Sequence, residues 1–546
     1  MAFIYTSVRE SMMDLEMARL DHFGLVAGVF DQLGISEVVD NRLPKSRHHK
    51  LSHSQVLKAM VLNGLGFVGQ RLYLFPSFFE NLPVDKLLGE GIVAADLNDD
   101  VLGRTFDAIY EYDPTNLFNQ IVLKVMDRVD FDTKLLHADT TSFGVHGMYE
   151  DEDIGNTIEI TLGHPKDGRV DLKQFVLSMV TNQHGLPLFV EAKSGNASDK
   201  NTIIDTISKL RRSITFETSA YFIADSALYT KDNIQKLGNG VRWITRAPAT
   251  INEVKELLDS DVNMIPCADS RYSFYPTISN YGGTKQKWVL FHSKPMQQRM
   301  EKTFEKRIEK ETKAANASLK KLNGRRFACE PDARKEAEIW LQNQKNYKFK
   351  KLEFKVQSKR INGKRGRPSK NEELDSFWII NADIELDEEV IEKERSKLGR
   401  FVLASNDLEI DDETMLQHYK GQQSVERGFR FLKDKKFNIA QVYLKKEERI
   451  QALAMIMVLT LLVYSIAEWL LRKRLMETGN SIPNQLKKLT QKPTLKWVFF
   501  LFNGVSDVKV SIMGITHREM MHLTDVLKLI LRLMGPECEK YYAEEC

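Results

Sequence analysis

Over residues 1 to about 130 the apolar positions recur at helical spacing. Gln55–Leu65 carries an apolar stripe, with Ser52 or Ser54 placed to cap it. Asn98-Asp-Asp100 opens a second helix, Val101 to Tyr110. Two such helices fit either a helix-turn-helix that presents Arg104 to DNA or an all-α bundle supporting a neighbouring domain or a dimer contact. His48, His49 and His53 beside Lys50 read as a basic loop before a helix cap rather than as a metal site.

From residue 134 the period shortens to that of strands. Leu135–Asp139 is a short apolar strand ending in an acid, and Gln174–Val180 is a second. After the turn Asn182-Gln-His-Gly185, Leu186–Ala192 returns as a third. Asp199 or Asn201 opens a helix through Leu210, and Ala220–Asp225 is a strand that again ends in an acid. Another helix leads to Val241–Arg246. Three strands, helix, strand, helix, strand is the order of an RNase H-like domain, which places metal ligands at the ends of its first and fourth strands.

A long insertion follows. Strand-like pieces occur around Tyr272–Tyr275 and Trp288–Phe291, helices over Gln297–Leu322 and Arg334–Asn343, and alternating segments at Tyr347–Val356 and Phe377–Ile380. Between Lys294 and Lys370 stand 24 Lys or Arg against 9 Asp or Glu, an excess that points to a nucleic-acid surface. Within it, Gly363-Lys-Arg-Gly-Arg-Pro-Ser-Lys370 is similar to an AT-hook, whose Arg365 and Arg367 would enter an A·T minor groove; a flexible basic linker is the other reading.

Ala452–Ala467 is uncharged and mostly apolar but shorter than the ~20 residues of a membrane span, so it reads as a buried helix. From about 475 the chain has basic loops and a last helix, Arg518–Met534. Just before the buried helix, Tyr419 to Lys433 reads as one continuous helix. Tyr419, Gln422, Gln423, Glu426, Arg430 and Lys433 form one stripe; Val425, Phe429 and Leu432 form an apolar stripe beside it. A single carboxylate among cations, amides and a phenol suggests a metal ligand beside a phosphodiester.

Bulk properties narrow this picture. At 546 residues the chain exceeds a single core. Its net charge of only +3 makes the basic character local. Cysteines 267, 329, 538 and 546 have neither CxxC spacing nor a companion His pattern, so they read as reduced thiols. The N-terminus has acids within its apolar stretch and is not a signal peptide.

The spacing of Tyr419, Glu426 and Lys433 resembles the Tyr-x2-Arg-x3-Glu-x6-Lys signature of bacterial IS4-type DDE transposases, with the wider pattern closest to the IS1634 branch. Gln422 stands where the signature has Arg; Arg427 or Arg430 can compensate. The resemblance implies an α/β fold: an RNase H-like catalytic domain (131–246 and 401–475) interrupted by a large mixed, basic insertion (247–400). An α-helical N-terminal domain (1–130) and a helical C-terminal region (476–546) flank it. It implies Asp139, Asp225 and Glu426 as catalytic acids holding two Mg²⁺ ions, for which Mn²⁺ can substitute. Tyr419, Gln422, Arg430 and Lys433 would contact DNA, joined by Arg365, Arg367 and Arg104. The expected partners are double-stranded DNA at transposon inverted repeats and target sites, and a second copy in a synaptic complex. The expected setting is the cytoplasm, at the nucleoid, with no membrane. An RNase H-like nuclease without strand transfer and a catalytically inactive DNA-binding relative are the competing readings.

Overall fold

The computed structural model describes residues 13–66, 75–146, 149, 158–165, 168–217, 219–238, 240–360, 374–434, 446–512 and 515–544. They fall into two compact units. One comprises the chain up to 246, 279–287 and everything from 404; the other comprises 247–278 and 288–403.

The first unit opens with β1 (Met13–Arg19), so the N-terminal stretch is not wholly helical. Helices α1 (Phe23–Gln32), α2 (Ile35–Arg42), α3 (His53–Leu65), α4 (Phe75–Phe79), α5 (Val84–Leu88), α6 (Asp99–Tyr112) and α7 (Pro114–Arg128) follow. Ser52 caps α3 through a reciprocal capping box with Gln55. Asn98 caps α6, its side chain accepting the Val101 amide at 3.1 Å. α3 packs on α6, but α4 and α5 intervene, so the pair lacks the three- to four-residue turn of a helix-turn-helix.

The sheet of this unit is built from β2 (Leu135–Val145), β3 (Lys173–Asn182), β4 (Pro187–Lys193), α8 (Asp199–Ser213), β5 (Tyr221–Ala224), α9 (Lys231–Leu237) and β6 (Arg242–Ala247). The strands lie in the order β4-β3-β2-β5-β6. β2, β3 and β4 pair antiparallel, whereas β5 joins β2, and β6 joins β5, in parallel. β2 does not stop at Asp139. It continues to Val145 because residues 140–145 stay paired with β3, Thr140 opposite Ser178 and Val145 opposite Lys173.

The second unit contains α10 (Asn252–Asp259), β7 (Ile265–Pro266), β8 (Tyr272–Ser279), β9 (Gln286–Ser293), α11 (Lys294–Asn323), α12 (Glu330–Gln342), β10 (Tyr347–Arg360), β11 (Leu374–Leu386), α13 (Glu388–Ser396) and β12 (Arg400–Ser405). β10 and β11 form a long antiparallel hairpin. Ile380 and Ala382 of β11 pack with Leu319, Leu322, Ala333 and Ala337 of α11 and α12 as a separate small core. Most of α11 is exposed and charged, with ion pairs such as Lys313–Glu309 at 2.6 Å. The AT-hook-like segment, with Arg365 and Arg367, lies outside the described residues.

The chain returns to the first unit with α14 (Asp412–Lys420), α15 (Gln423–Leu432) and α16 (Glu447–Glu477). Next come β13 (Ile482–Pro483), β14 (Leu489–Thr490), α17 (Leu495–Leu501), β15 (Ser506–Ile512), β16 (Ile515–Met521), α18 (Asp525–Met534) and α19 (Pro536–Glu539). The C-terminal region is therefore mixed rather than helical, because β15 pairs with both β1 and β16. By length and composition α16 passes for a membrane span, yet 78% of its most apolar window is buried within the protein. It packs on β4 and on helices α3, α6, α15 and α18. Arg449 near its start forms a two-pronged ion pair with Asp107 of α6, both contacts 2.7 Å.

The two ends of the chain meet where α1 lies on α19. A Cβ on Gly28 would stand 2.5 Å from both the Cys538 Cα and the Glu537 carbonyl oxygen. Gly28→Ala should therefore destabilise the protein by about 1–3 kcal/mol, the usual range for overpacking. Denaturant or thermal unfolding of the variant reads this out; an unchanged midpoint would show that α1 and α19 do not approach this closely.

Candidate active site

Strand order reverses at β2: β3 and β4 build outward on one side, β5 and β6 on the other. In open sheets that reversal leaves a crevice at the carboxyl ends of the two strands that part. Here those strands are β2 and β5. Their parallel register ends with Ala138 opposite Ala224, so Asp139 and Asp225 are the next residues on each. β5 and β6 end with Ala224 opposite Thr245, which makes Arg246 the next residue on β6. Asp139, Asp225 and Arg246 thus form one row across three strands about 4.8 Å apart. The Asp139 carboxylate accepts the Thr140 amide at 2.7 Å, and that of Asp225 accepts the Ala227 amide at 2.9 Å.

The expected single helix from Tyr419 to Lys433 is two helices. Gly421 (φ −60, ψ −17) and Gln422 (φ −56, ψ −23) remain right-handed. Their hydrogen bonds tighten to the i→i+3 pattern, Gln422 N to Tyr419 O at 3.1 Å and Ser424 N to Gly421 O at 2.9 Å. Such a turn advances the chain by more angle per residue, so the stripe does not continue unbroken. Gln422, expected on the DNA-facing stripe, is only 8% exposed. Gln423, Glu426, Arg427 and Arg430 form the exposed face of α15; Val425, Phe429 and Leu432 are buried as their spacing predicts.

Four contacts fix how α15 lies on the sheet. A Cβ on Gly421 would be 2.9 Å from the His137 ring. Ser424 Oγ is 3.4 Å from Thr181 Oγ1, and Thr181 is opposite His137. A Cβ on Gly428 would be 3.1 Å from both Met179, opposite Asp139, and Leu461 of α16. Lys433 Nζ lies 5.4 Å from the centre of the Phe143 ring. α15 therefore runs along β2 in the strand's own direction. Glu426 is about 7.5 Å along the helix from Gly421, the length of roughly two strand residues. That brings it abreast of Asp139.

The Tyr419 phenol senses the whole group. Burial, opposed by Arg246 and reinforced by the charges of Asp225, Glu426 and Asp139, pushes it up to about 12. All three acids and the arginine thus lie within electrostatic reach of one hydroxyl. The Tyr419 hydroxyl is therefore held in its protonated form at neutral pH.

Residues 130–463, well over half of the chain, match the family model of the transposase DDE domain. The chain belongs to the DDE transposase family. Residues 15–123 match a domain of unknown function, DUF4277. No curated protein matches the chain.

A DDE transposase is an enzyme that acts on DNA and generally uses divalent metal ions. By donor type, the carboxylates of Asp139, Asp225 and Glu426 fit a hard cation such as Mg²⁺. As the side chains stand, no three His, Cys, Asp or Glu among the described residues are gathered closely enough to hold an ion. Of the other residues expected to meet DNA, Arg430 is exposed on α15, and Arg104 is exposed on α6 among the N-terminal helices. Arg246 was not legible in advance, because its place beside Asp225 comes from parallel strand register rather than from any local motif.

The His137 ring is fully buried, and neither of its nitrogens has a partner among the described residues. Burial and then the charge of His418 lower it to about 4, so it is neutral. It leaves no room for a side chain at position 421. Gly421→Ala should shift α14 against α15 and lower DNA cleavage at least tenfold while DNA affinity changes little. Parallel cleavage and binding assays check this; full activity would show that the α14–α15 joint does not set the site.

Proposed function

We propose that the protein is a Mg²⁺-dependent DNA transposase of the IS4 type, IS1634 branch, that cleaves at transposon ends and joins the freed 3′-hydroxyl to target DNA. The observation that carries this reading is the shared register of Asp139 and Asp225 with Glu426 abreast of them. Its catalytic part is RNase H-like, with strands and helices in the order β2-β3-β4-α8-β5-α9-β6.

Asp139, Asp225 and Glu426 would hold the metal. When bound, two such ions would activate water and neutralise charge on the leaving oxygen. The chain's own groups position the DNA. Arg246 places a guanidinium in the acids' row, where it can pair with a phosphate beside the cut and offset the acids' repulsion of the backbone. Lys433, held over Phe143 at the far end of α15, offers a point charge to a neighbouring phosphate. The Tyr419 hydroxyl, uncharged, donates to a phosphate oxygen. Arg430 and Arg427 extend the exposed face toward the duplex. The basic insertion, including Arg365 and Arg367, adds affinity with little sequence preference.

Asp139→Asn, Asp225→Asn and Glu426→Gln should each abolish cleavage of duplexes carrying the element's inverted repeats while leaving binding within a few-fold. Cut but unjoined product from the unaltered protein would identify a nuclease instead, and retained cleavage in any of the three variants would remove that residue from the site.

Arg246→Ala and Lys433→Ala should lower cleavage and joining at least tenfold with only a modest loss of affinity. Lys433→Arg should recover most of that loss, because a cation suffices there. In the same Mg²⁺ assay, a Lys433→Ala protein as active as the unaltered one would show that α15 does not present this end to DNA.

A further inference from the structure

Among the N-terminal helices, the starts of α3 and α6 border a cavity of about 220 Å³. Its walls include His48, His49, Lys50, His53, Asp96 and Arg104. Asp96 is the one acid among them, and Lys50 neutralises it at 2.5 Å. Arg104 is exposed and has no ion-pair or hydrogen-bond partner among the described residues. The first turn of α6 also carries the exposed acids Asp99 and Asp100, which are not among the cavity walls.

His53 supplies an independent sign. It is only 9% exposed. Its Nδ1 is 3.1 Å from Thr105 Oγ1, and that hydroxyl donates its own proton to the Val101 carbonyl at 3.1 Å. Thr105 must therefore accept from the imidazole, which fixes the proton on Nδ1. Nε2 then has no partner among the described residues. It offers a lone pair when the ring is neutral and an N–H when the ring is protonated. Burial lowers the ring below its ordinary range; the charge of His49 lowers it further, Asp40 on α2 raises it, and Arg104 lowers it again. The His49 ring stands edge-on to it, centroids 6.0 Å apart. An anion in the cavity would reverse that balance and draw a proton onto Nε2.

We infer that this cavity is a phosphate-binding site that grips a backbone phosphodiester of duplex DNA, with Arg104 and protonated His53 as its donors. The inference rests on the transposase reading. DNA is favoured over free phosphate because the cationic surface does not end at the cavity. Lys45, Arg47 and His48 continue it along the exposed loop before α3, as a polyanion requires and a single phosphate does not. Arg104 thus acts without a helix-turn-helix, through a pocket that reads charge and not sequence.

The test uses the full chain without divalent metal, so that binding is separated from cleavage. A fluorescent duplex of arbitrary sequence is titrated by anisotropy across a salt series at pH 6 and pH 8. Arg104→Ala should weaken binding about tenfold and flatten the slope of log affinity against log salt by about 0.9, the loss of one phosphate contact. Arg104→Lys should recover the slope. The unaltered protein should bind more tightly at pH 6 than at pH 8, and His53→Gln should lose part of that difference. If Arg104→Ala, with an unchanged melting temperature, keeps both affinity and slope, the transposase reading stands and the pocket falls. If the unaltered protein binds no duplex, the transposase reading fails and takes the pocket with it. Calorimetry with inorganic phosphate separates the remaining source: phosphate binding that needs Arg104, beside duplex binding that does not, would overturn the DNA assignment.

Discussion

The site depends on how α15 is clamped. Its apolar face buries Val425, Phe429 and Leu432, each contributing about 1.5–3 kcal/mol relative to exposure. Gly428 lets the helix lie against Met179 of β3 on one side and Leu461 of α16 on the other. The clamp aligns α15 with β2, and that alignment carries Glu426 toward Asp139 across 286 residues of intervening sequence. α16 is the back wall, and its burial by the N-terminal helices explains why so apolar a helix belongs to the core.

The chain passes into the second unit after Arg246, returns to the first over 279–287, and comes back finally at Ala404. The entropic cost of such a loop rises only with the logarithm of its length, and this one folds around a core of its own. Its exit lies next to Arg246, so the same strand end both supplies a cation to the acids' row and launches the basic unit.

Local patterns made much of this legible. Strand-like runs marked β3, β8 and β9, alternating segments marked β10 and β11, and the charged run after Lys294 marked α11. Aspartates closing apolar runs pointed to residues 139 and 225, and the apolar spacing of Val425, Phe429 and Leu432 gave the buried face of α15. What escaped was non-local or cooperative. β1 pairs with β15 from nearly the other end of the chain. β2 outruns its apolar segment because β3 keeps pairing with Thr140, Thr141 and Ser142. The break at Gly421 had one local signal, a glycine within a helical run, yet its consequence depends on the His137 ring beneath it. Gln422 turns inward for the same reason, and the signature stripe treated as a straight helix could not show it.

On the proposed mechanism, three acids distant in sequence share one metal-binding edge. Replacing Mg²⁺ by Fe²⁺ with ascorbate and peroxide generates hydroxyl radicals at the bound ion, and the resulting backbone cuts can be mapped by mass spectrometry. Cuts should cluster around Asp139, Asp225 and Glu426 together and be suppressed by excess Mg²⁺. Cuts confined to one of these segments, or falling elsewhere in the chain, would contradict it.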